Sequence, residues 1–171
     1  LVSSSAASDV YKRQGSIGMK VGRIAKAFGM NINYFSVRNY KKTQFLKFLS
    51  SLDYLSVHCP LNEKTKDLIT IKELKIMKKN MILINTARGG IINENDLAKA
   101  IKQKIIAGSG VDVTTSEPPK KSHPYYSILN EANFIWTPHT AWASNETLQE
   151  AINQLVKNIN SFYKGKKRNI V

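Results

Sequence analysis

The chain has 171 residues, a hydrophobic fraction of 42% and one cysteine, which is enough for one domain with a core and excludes an internal disulfide. No apolar run approaches the ~20 residues of a membrane-spanning helix, and the N-terminus lacks the apolar segment of a secretory signal. We therefore predict a cytoplasmic protein, in keeping with one free cysteine. The net charge of +14 permits a nucleic-acid partner. Because the lysines are scattered over most of the chain, we expect no nucleic-acid and no membrane partner.

Residues 1–14, "LVSSSAASDVYKRQ", differ from the rest of the chain. They carry no hydrophobic periodicity and resemble translated adapter or cloning sequence, which is set aside before fold reasoning. We therefore expect a non-native leader over 1–14 and native sequence over 15–171. The strand that should precede Gly15 would then be missing. We expect residues 5–12 to pair in its vacant position, because an unpaired buried edge is costly.

From Gly15 onward, predicted helices and strands alternate. The first helix covers 16–29, ends at Gly29 and has one apolar face made of Ile17, Val21, Ile24, Ala25 and Phe28. Further helices are predicted over 43–51, 70–78, 94–104 and 144 to about 163. Strands are predicted over 31–36, 53–60, 80–87, 106–113 and within 131–140. Thr70 and Asn93 are the predicted N-caps of the helices that follow them.

This alternation predicts an α/β fold with a doubly wound parallel sheet of the Rossmann type, truncated at its first strand. In such sheets, ligands bind outside the carboxyl ends of the strands. The candidate functional residues are therefore those that follow each strand.

The stretch "GSIG" (15–18) stands at the start of the first helix. Its glycines let the backbone approach a pyrophosphate, whose negative charge a helix N-terminus favours; the alternative is an ordinary tight turn. After the next strand, Ser36 occupies the place where an NAD enzyme usually has Asp or Glu, and Arg38 follows. Arg38 either binds the 2′-phosphate of NADP or belongs to a solvated basic loop, so NAD and NADP both stay open.

Charged side chains follow two later strands. Arg88, in "INTARGG", comes directly after a buried strand, and its guanidinium can clamp a carboxylate through two parallel hydrogen bonds. Gly89 and Gly90 clear space for a ligand, which argues against a structural ion pair. Asp112 lies at the end of the next strand, and Glu117 lies on the loop after it.

The chain has three histidines. His139 follows a strand and a proline in "WTPHTAWAS", although a lone histidine is more often structural than catalytic. His123 lies in a polar loop and is expected to be structural or exposed. His58 ends a strand in "VHCP" and can line a cofactor site.

The stretches "GSIG", "HCPLNEKTKDLI", "ILINTARGG", "GVDV", "EPP", "HP" and "TPHTAWAS" occur in this order between Gly15 and Val171. In order and spacing they resemble the NAD(P)-binding domain of the D-isomer-specific 2-hydroxyacid dehydrogenase family. Two of them, "PLNEKTKDLI" and "TPHTAWAS", lean toward its glycerate dehydrogenase or hydroxypyruvate reductase branch.

The resemblance implies a catalytic trio. Arg88 would bind the substrate carboxylate and carbonyl, His139 would exchange a proton with the substrate oxygen, and Glu117 would hydrogen-bond His139. Asp112 would meet the nicotinamide carboxamide. The expected cofactor-binding residues are Gly15, Ser16, Ile17, Gly18, Ser36, Arg38, His58, Cys59, Pro60, Thr86, Ala87, Asp112 and Ala141. No metal site is expected.

The function implied by the resemblance is hydride transfer between NAD or NADP and a small D-2-hydroxyacid or 2-oxoacid, such as glycerate or hydroxypyruvate. The parent protein would be a homodimer. The family's substrate domain is not found in this chain, so we expect the chain alone to be inactive. The alternative is a non-enzymatic NAD(H)-sensing or corepressor-type protein with the same fold, because fold does not determine function.

Overall fold

A computed structural model of the protein describes Val2–Ser4 and residues 15–38 and 40–169. Within these residues the strands are β1 (Val2–Ser4), β2 (Ile32–Tyr34), β3 (Tyr54–Val57), β4 (Ile82–Asn85), β5 (Gly108–Val111) and β6 (Phe134–Trp136). The helices are α1 (Ser16–Ala27), α2 (Lys42–Ser50), α3 (Ile71–Ile76), α4 (Glu94–Lys102) and α5 (Asn145–Tyr163), with a 3₁₀ helix over Pro124–Ile128. The chain divides into two compact units between Pro138 and His139.

The described strands form one sheet in the order β2-β1-β3-β4-β5-β6, and the pairs from β3 to β6 are parallel. The predicted α/β class with a parallel sheet is therefore confirmed. Every strand is shorter than predicted. β3, for example, ends at Val57 rather than at residue 60, because the chain leaves the sheet before Pro60, which has no N–H for a ladder.

The position between β2 and β3 is occupied by β1, a segment of the predicted leader. Ser3 pairs with Asn33 on one side and with Leu55 on the other, and both pairings are antiparallel. A doubly wound sheet ordinarily has a parallel strand at such a position. Residues 5–12, which were expected to fill it, lie outside the described residues.

The starts of α3 and α4 follow from short-range side-chain hydrogen bonds. Thr70 and Glu73 form a capping box at α3, in which the Thr70 N–H donates to Glu73 Oε2 at 2.9 Å. Asn93 Oδ1 accepts from the Asp96 N–H at the start of α4, at 3.1 Å. Both predicted N-caps are therefore confirmed, and each satisfies an N–H group that the helix itself leaves unpaired.

The apolar face predicted for α1 is largely exposed. Ile17, Ile24 and Phe28 are exposed, whereas the buried residues of this helix are Gly18 and Gly22. A Cβ built on Gly22 would lie 2.1 Å from the Tyr34 hydroxyl oxygen. The helix therefore approaches Tyr34 so closely at Gly22 that this position has no room for a side chain. The predicted end of α1 holds, because Gly29 follows the helix with φ of +79°.

The hydrophobic core is centred on β3 and β4 and on the helices packed beside them. Fully buried side chains include Phe45, Leu49, Leu55, Val57, Leu74, Leu83, Leu97 and Ile101. Close packing of this kind allows little movement. The carboxyl ends of β3 and β4, where their strands give way to loops, are therefore held in fixed positions.

The second unit contains α5 and the C-terminal tail. Ser144 caps α5 by accepting from the Thr147 N–H at 3.2 Å. In the tail, Arg168 folds back on α5 and donates to Gln154 Oε1 at 2.8 Å. None of the helices in the described ranges combines the length and apolar character that crossing a bilayer requires.

The pairing of β1 predicts a sensitivity to proline at position 3. A proline there removes a backbone N–H from a strand that is paired on both edges, so Ser3→Pro should lower the free energy of unfolding by about 1 kcal/mol or more. The matched control Ser3→Thr keeps the N–H and should change little. Urea unfolding curves compare the two. Equal midpoints for the proline variant and the parent chain would show that β1 does not stabilise the sheet.

Candidate active site

One cavity of about 510 Å³ lies at the carboxyl ends of β3 and β4 and at the N-terminus of α1. Ten of the residues predicted to form the site line it: Gly15, Ser16, Ile17, Gly18, His58, Cys59, Pro60, Thr86, Ala87 and Arg88. They come from three segments of the sequence that the parallel sheet brings to one edge. Leu61, which the sequence analysis did not select, also lines this cavity.

The N-terminus of α1 is built to accept an anion. Its N-cap is Gly15, which makes no side-chain capping hydrogen bond, and its first turn holds no acidic residue. Among the described residues, a Cβ built on Gly15 would meet no atom within 4 Å, so none of them fills the space beside the N-cap. The first N–H groups of a helix need an external partner, and the helix dipole favours a negative one. A pyrophosphate fits both conditions.

His58 forms the wall of the cavity beside α1. A Cβ built on Gly18 would lie 3.4 Å from His58 Cβ, and the imidazole Nε2 is 2.8 Å from Ser56 Oγ. Burial lowers the pKa of His58 to about 4, because the charged form loses hydration. The imidazole is therefore neutral near pH 7, so it can contact the cofactor by hydrogen bonding but not as a cation.

Cys59 is the residue after His58 and is 9% exposed. Burial raises the pKa of its thiol, so the sulfur stays protonated and unreactive near neutral pH. Cys59 therefore packs in the wall of the cavity.

The turn that carries Arg88 is held by a buried asparagine. Asn85 ends β4 and is 3% exposed; its Oδ1 accepts from the Ala87 N–H at 3.0 Å, and its Nδ2 donates to the Arg88 carbonyl at 2.9 Å. The Arg88 side chain is exposed at the cavity, where Nη1 donates to the Ala87 carbonyl at 2.7 Å. The amide of Asn85 thus binds the backbone at both Ala87 and Arg88. The backbone that carries the Arg88 side chain is therefore held in one position.

The Arg88 turn lies directly against the loop that follows β5. A Cβ built on Gly89 would lie 2.0 Å from the carbonyl carbon of Thr114 and 2.3 Å from the Thr115 nitrogen. Gly90 has a φ of +77°, a conformation that disfavours side chains. Only two glycines let the backbones of these two loops touch. Arg88 and the loop of Glu117 are thereby kept close together.

A buried carboxylate holds the loop after β5 against the start of α4. Glu94, the first residue of α4, is 9% exposed. It accepts from the Thr115 N–H at 2.7 Å, from the Thr115 hydroxyl at 2.8 Å and from His123 Nε2 at 2.8 Å. The His123 Nδ1 accepts from the Tyr125 N–H, so the ring proton lies on Nε2. His123 is 8% exposed and stacks on Trp136. It is therefore a structural residue, one of the two alternatives expected.

Two predicted acidic residues follow β5. Asp112 is 3% exposed, and its Oδ1 accepts from the Thr137 hydroxyl. Glu117 lies on the loop after it, with Oε1 accepting from the Thr114 N–H at 3.0 Å. The carboxylate of Glu117 is thus anchored to the backbone of its own loop, next to the Arg88 turn.

Four further predicted residues are not among those that line this cavity. Ser36 is exposed after β2, while Arg38 lines a second cavity of about 770 Å³. His139 and Ala141 belong to the second unit. His139 has a φ of +54°, an uncommon conformation for a residue other than glycine.

The sequence analysis missed Leu61, Asn85 and Glu94. The position of Asn85 at the end of an apolar run was a usable signal, because a polar residue at a buried strand end must find hydrogen bonds. Glu94 offered no comparable signal, since its partners Thr115 and His123 are 21 and 29 residues away.

Comparison with known proteins agrees with this geometry. Over residues 14–141 the chain matches the family model of the D-isomer specific 2-hydroxyacid dehydrogenase, NAD binding domain. It is 41% identical over 161 residues to the glycerate dehydrogenase of Methylorubrum extorquens, covering 92% of this chain and 50% of that protein. It is 36% identical over 162 residues to a glyoxylate reductase of Thermococcus litoralis, covering 88% and 47%.

A similar solved structure is the NAD-complexed form of a D-isomer specific 2-hydroxyacid dehydrogenase from Lactobacillus delbrueckii ssp. bulgaricus. It matches with a TM-score of 0.82 and 28% identity, over 92% of this chain and 53% of that one. The chain therefore spans about half the length of these relatives.

A parallel α/β sheet whose first helix begins at a glycine and opens onto a cavity defines a dinucleotide-binding domain. The family is also shown: the chain belongs to the D-isomer specific 2-hydroxyacid dehydrogenases, within their NAD-binding domain. The resemblance stated from the sequence is confirmed. The cofactor is NAD or NADP, and the open, uncapped N-terminus of α1 fits its pyrophosphate.

The contact between the two loops predicts a large effect at Gly89. Gly89→Ala forces a methyl group into the backbone of Thr114 and should lower the free energy of unfolding by about 3 kcal/mol or more, since backbone atoms cannot move aside locally. The matched control is Gly110→Ala in β5, where a Cβ meets nothing within 4 Å. Thermal unfolding followed by circular dichroism compares them. Similar melting temperatures for the two variants would contradict the contact.

The buried carboxylate predicts a second stability effect. Glu94→Gln replaces an acceptor with an amide that must face the donors of Thr115 and His123, so it should cost about 3 kcal/mol. Lys78→Gln removes a half-exposed ion pair with Asp53 and serves as the control, with a much smaller change expected. Urea denaturation measures both. If Glu94→Gln lowers the free energy of unfolding no more than Lys78→Gln does, the carboxylate does not stabilise the loop after β5.

Proposed function

We propose that the chain is the cofactor-binding half of an oxidoreductase that transfers a hydride between NAD or NADP and a small D-2-hydroxyacid or 2-oxoacid, such as glycerate or hydroxypyruvate. One observation carries the proposal: the uncapped N-terminus of α1 and the guanidinium of Arg88 line the same cavity. An anion site for a dinucleotide thus lies beside a group suited to a substrate carboxylate. The relatives named as glycerate dehydrogenase and glyoxylate reductase support this substrate class.

In this proposal Arg88 holds the substrate. A guanidinium offers several N–H donors in one plane and can bind a carboxylate through two of them. The buried amide of Asn85 restrains the turn below it, which limits the freedom that binding must remove. Arg88 would thereby orient the carbonyl carbon toward the cofactor.

His139 and Glu117 are proposed to move the proton. When bound, the nicotinamide ring supplies or accepts the hydride. The substrate oxygen must gain a proton as its carbon gains a hydride, and an imidazole suits that exchange near neutral pH. Glu117 would orient the His139 ring by a hydrogen bond, and Asp112 would accept from the carboxamide of the cofactor.

Three further statements belong to the proposal. Residues 15–171 form the cofactor domain after a non-native leader over 1–14, the parent protein is a homodimer, and it works in the cytoplasm. Substrate turnover is expected to need the further length found in the relatives, because a closed cleft excludes water from the reaction.

Binding of the cofactor is tested at Ser16, the first residue of α1. Ser16→Asp places a carboxylate where the pyrophosphate is expected, so the affinity for NADH or NADPH should fall at least about tenfold. The same change should leave the melting temperature unchanged or raise it, since an acidic residue stabilises a helix N-terminus. Ser16→Ala is the control: it keeps the backbone N–H and adds no charge, so it should lose much less affinity than Ser16→Asp. Calorimetric titration showing equal affinity for both variants would place the pyrophosphate elsewhere.

Catalysis is tested in a chimera that joins the N-terminal half of the Methylorubrum extorquens glycerate dehydrogenase to residues 15–171. The chimera should oxidise reduced cofactor with hydroxypyruvate, and His139→Gln should lower kcat by about 10²-fold or more. Lys120→Gln, on the loop of Glu117, is the control. If the His139→Gln chimera keeps the full kcat, His139 does not transfer the proton. Tight cofactor binding with no turnover by the chimera would favour the sensor alternative.

A further inference from the structure

His123 and Glu94 form a buried hydrogen-bonded pair that the proposed reaction does not use. The imidazole Nε2 lies 2.8 Å from Glu94 Oε2, and both residues are less than 10% exposed. Trp136 stacks on the ring, and Tyr125 meets it edge-on. Neither member of the pair is among the residues that line the cavity of the candidate site. Because burying polar groups is costly unless each is hydrogen-bonded, the contacts of this pair show what it holds in place.

The imidazole of His123 makes two hydrogen bonds with different roles. Its Nδ1 accepts from the Tyr125 N–H at 3.3 Å and so caps the 3₁₀ helix over Pro124–Ile128. Its Nε2 then carries the ring proton and donates to Glu94. The first bond sets the tautomer of the ring, and the second restrains the Glu94 carboxylate. The ring thereby connects the 3₁₀ helix to the start of α4.

The Glu94 carboxylate passes this restraint to Thr115. It accepts from the Thr115 N–H at 2.7 Å and from the Thr115 hydroxyl at 2.8 Å. His123 donates to the same oxygen as the hydroxyl, Oε2. Donors that converge on one ionised carboxylate hold it in a single orientation. The position of Thr115 therefore depends on the donor that His123 supplies.

Thr115 lies between the two segments that carry proposed catalytic groups. A Cβ built on Gly89, the residue after Arg88, would lie 2.3 Å from the Thr115 nitrogen. The preceding residue, Thr114, donates its N–H to Glu117 Oε1 at 3.0 Å. Because the two backbones are in close contact, a displacement of Thr115 would disturb both segments at once.

We infer that His123 is a positioning residue for the proposed reaction, and that it acts through Glu94 and Thr115. The segments held in this way carry Arg88, assigned to the substrate carboxylate, and Glu117, assigned to the orientation of the proton donor. The inference rests on the proposed function for these two roles. His123 itself exchanges no proton with the substrate. Its structural role thereby extends to the site.

Two substitutions separate the two hydrogen bonds of His123. His123→Asn keeps a short polar side chain, which is a favourable N-cap for the 3₁₀ helix, but it is too short to donate to Glu94. His123→Gln places an amide N–H about where Nε2 lies and so keeps the donor to Glu94. The asparagine variant therefore tests the inference, and the glutamine variant is the matched rescue. Circular dichroism confirms that both are folded.

Amide hydrogen exchange of the whole 171-residue chain, followed by NMR, measures the restraint directly. In His123→Asn the N–H groups of Thr114 and Thr115 should exchange at least about tenfold faster than in the parent chain. The Leu74 N–H, which donates to the Thr70 carbonyl in α3, should keep its rate. His123→Gln should stay within about threefold of the parent. Unchanged rates overturn the inference, and so does an equal acceleration at Leu74, which marks a general loss of stability.

The chimera that tests catalysis measures the effect on the reaction. His123→Asn should lower kcat/KM for hydroxypyruvate at least about tenfold, with a higher KM as the Arg88 turn shifts. The Kd of NADH or NADPH should change less than about threefold, because His123 is not among the residues that line the cofactor cavity. His123→Gln should recover most of kcat/KM.

The outcomes separate this inference from the proposed function. Parent-like kcat/KM in His123→Asn overturns the positioning role and leaves the proposed function intact. Equal losses in His123→Asn and His123→Gln also overturn it, because the donor to Glu94 would then not be the cause. An unsubstituted chimera that binds cofactor without turnover contradicts the proposed function itself, and the inference falls with it.

Discussion

The carboxylate of Glu94 is the group on which the arrangement of the site depends. It is buried at the start of α4 and accepts hydrogen bonds from Thr115 and His123. A buried charge is tolerated only where donors surround it, so the connection after β5, which supplies these donors, must stay in place against α4. The Gly89 backbone lies against Thr114 in the same region. Arg88 and Glu117, which follow different strands, are consequently held on loops that touch.

The α-helices divide into three whose N-termini are capped by a side chain and two, α1 and α2, whose N-termini are not. At α3, α4 and α5 a side chain caps the helix and an acidic residue lies in the first turn. At α1 the N-cap is Gly15 and neither feature is present. Both features are also absent at α2, but it is the start of α1, at Gly15 and Ser16, that lines the candidate cavity. Since the first N–H groups of every helix need a partner, this position favours α1 as the helix for the cofactor. The same helix carries glycines on its inner face, which allows it to approach the sheet.

Much of the fold and part of the site follow from the printed residues. The alternation of apolar runs predicts each strand and helix from Ser16 onward, and the strand ends lead to Arg88 and His58. The buried face of α1 did not follow from the sequence, because periodicity counts apolar side chains and does not show that Gly22 packs against Tyr34. Glu94 was missed because a glutamate at the start of a helix is common, and nothing nearby in the sequence shows that it is buried.

The sequence alone determined the order of the elements and the places where helices begin and end. These features depend on residues within about four positions of each other, as with Thr70 and Glu73 or Asn93 and Asp96. Only the tertiary structure decided that β1 pairs between β2 and β3, and that Arg38 shares a cavity with Lys64. Those contacts join residues more than 20 positions apart, and packing across the sheet brings them together where no local pattern can.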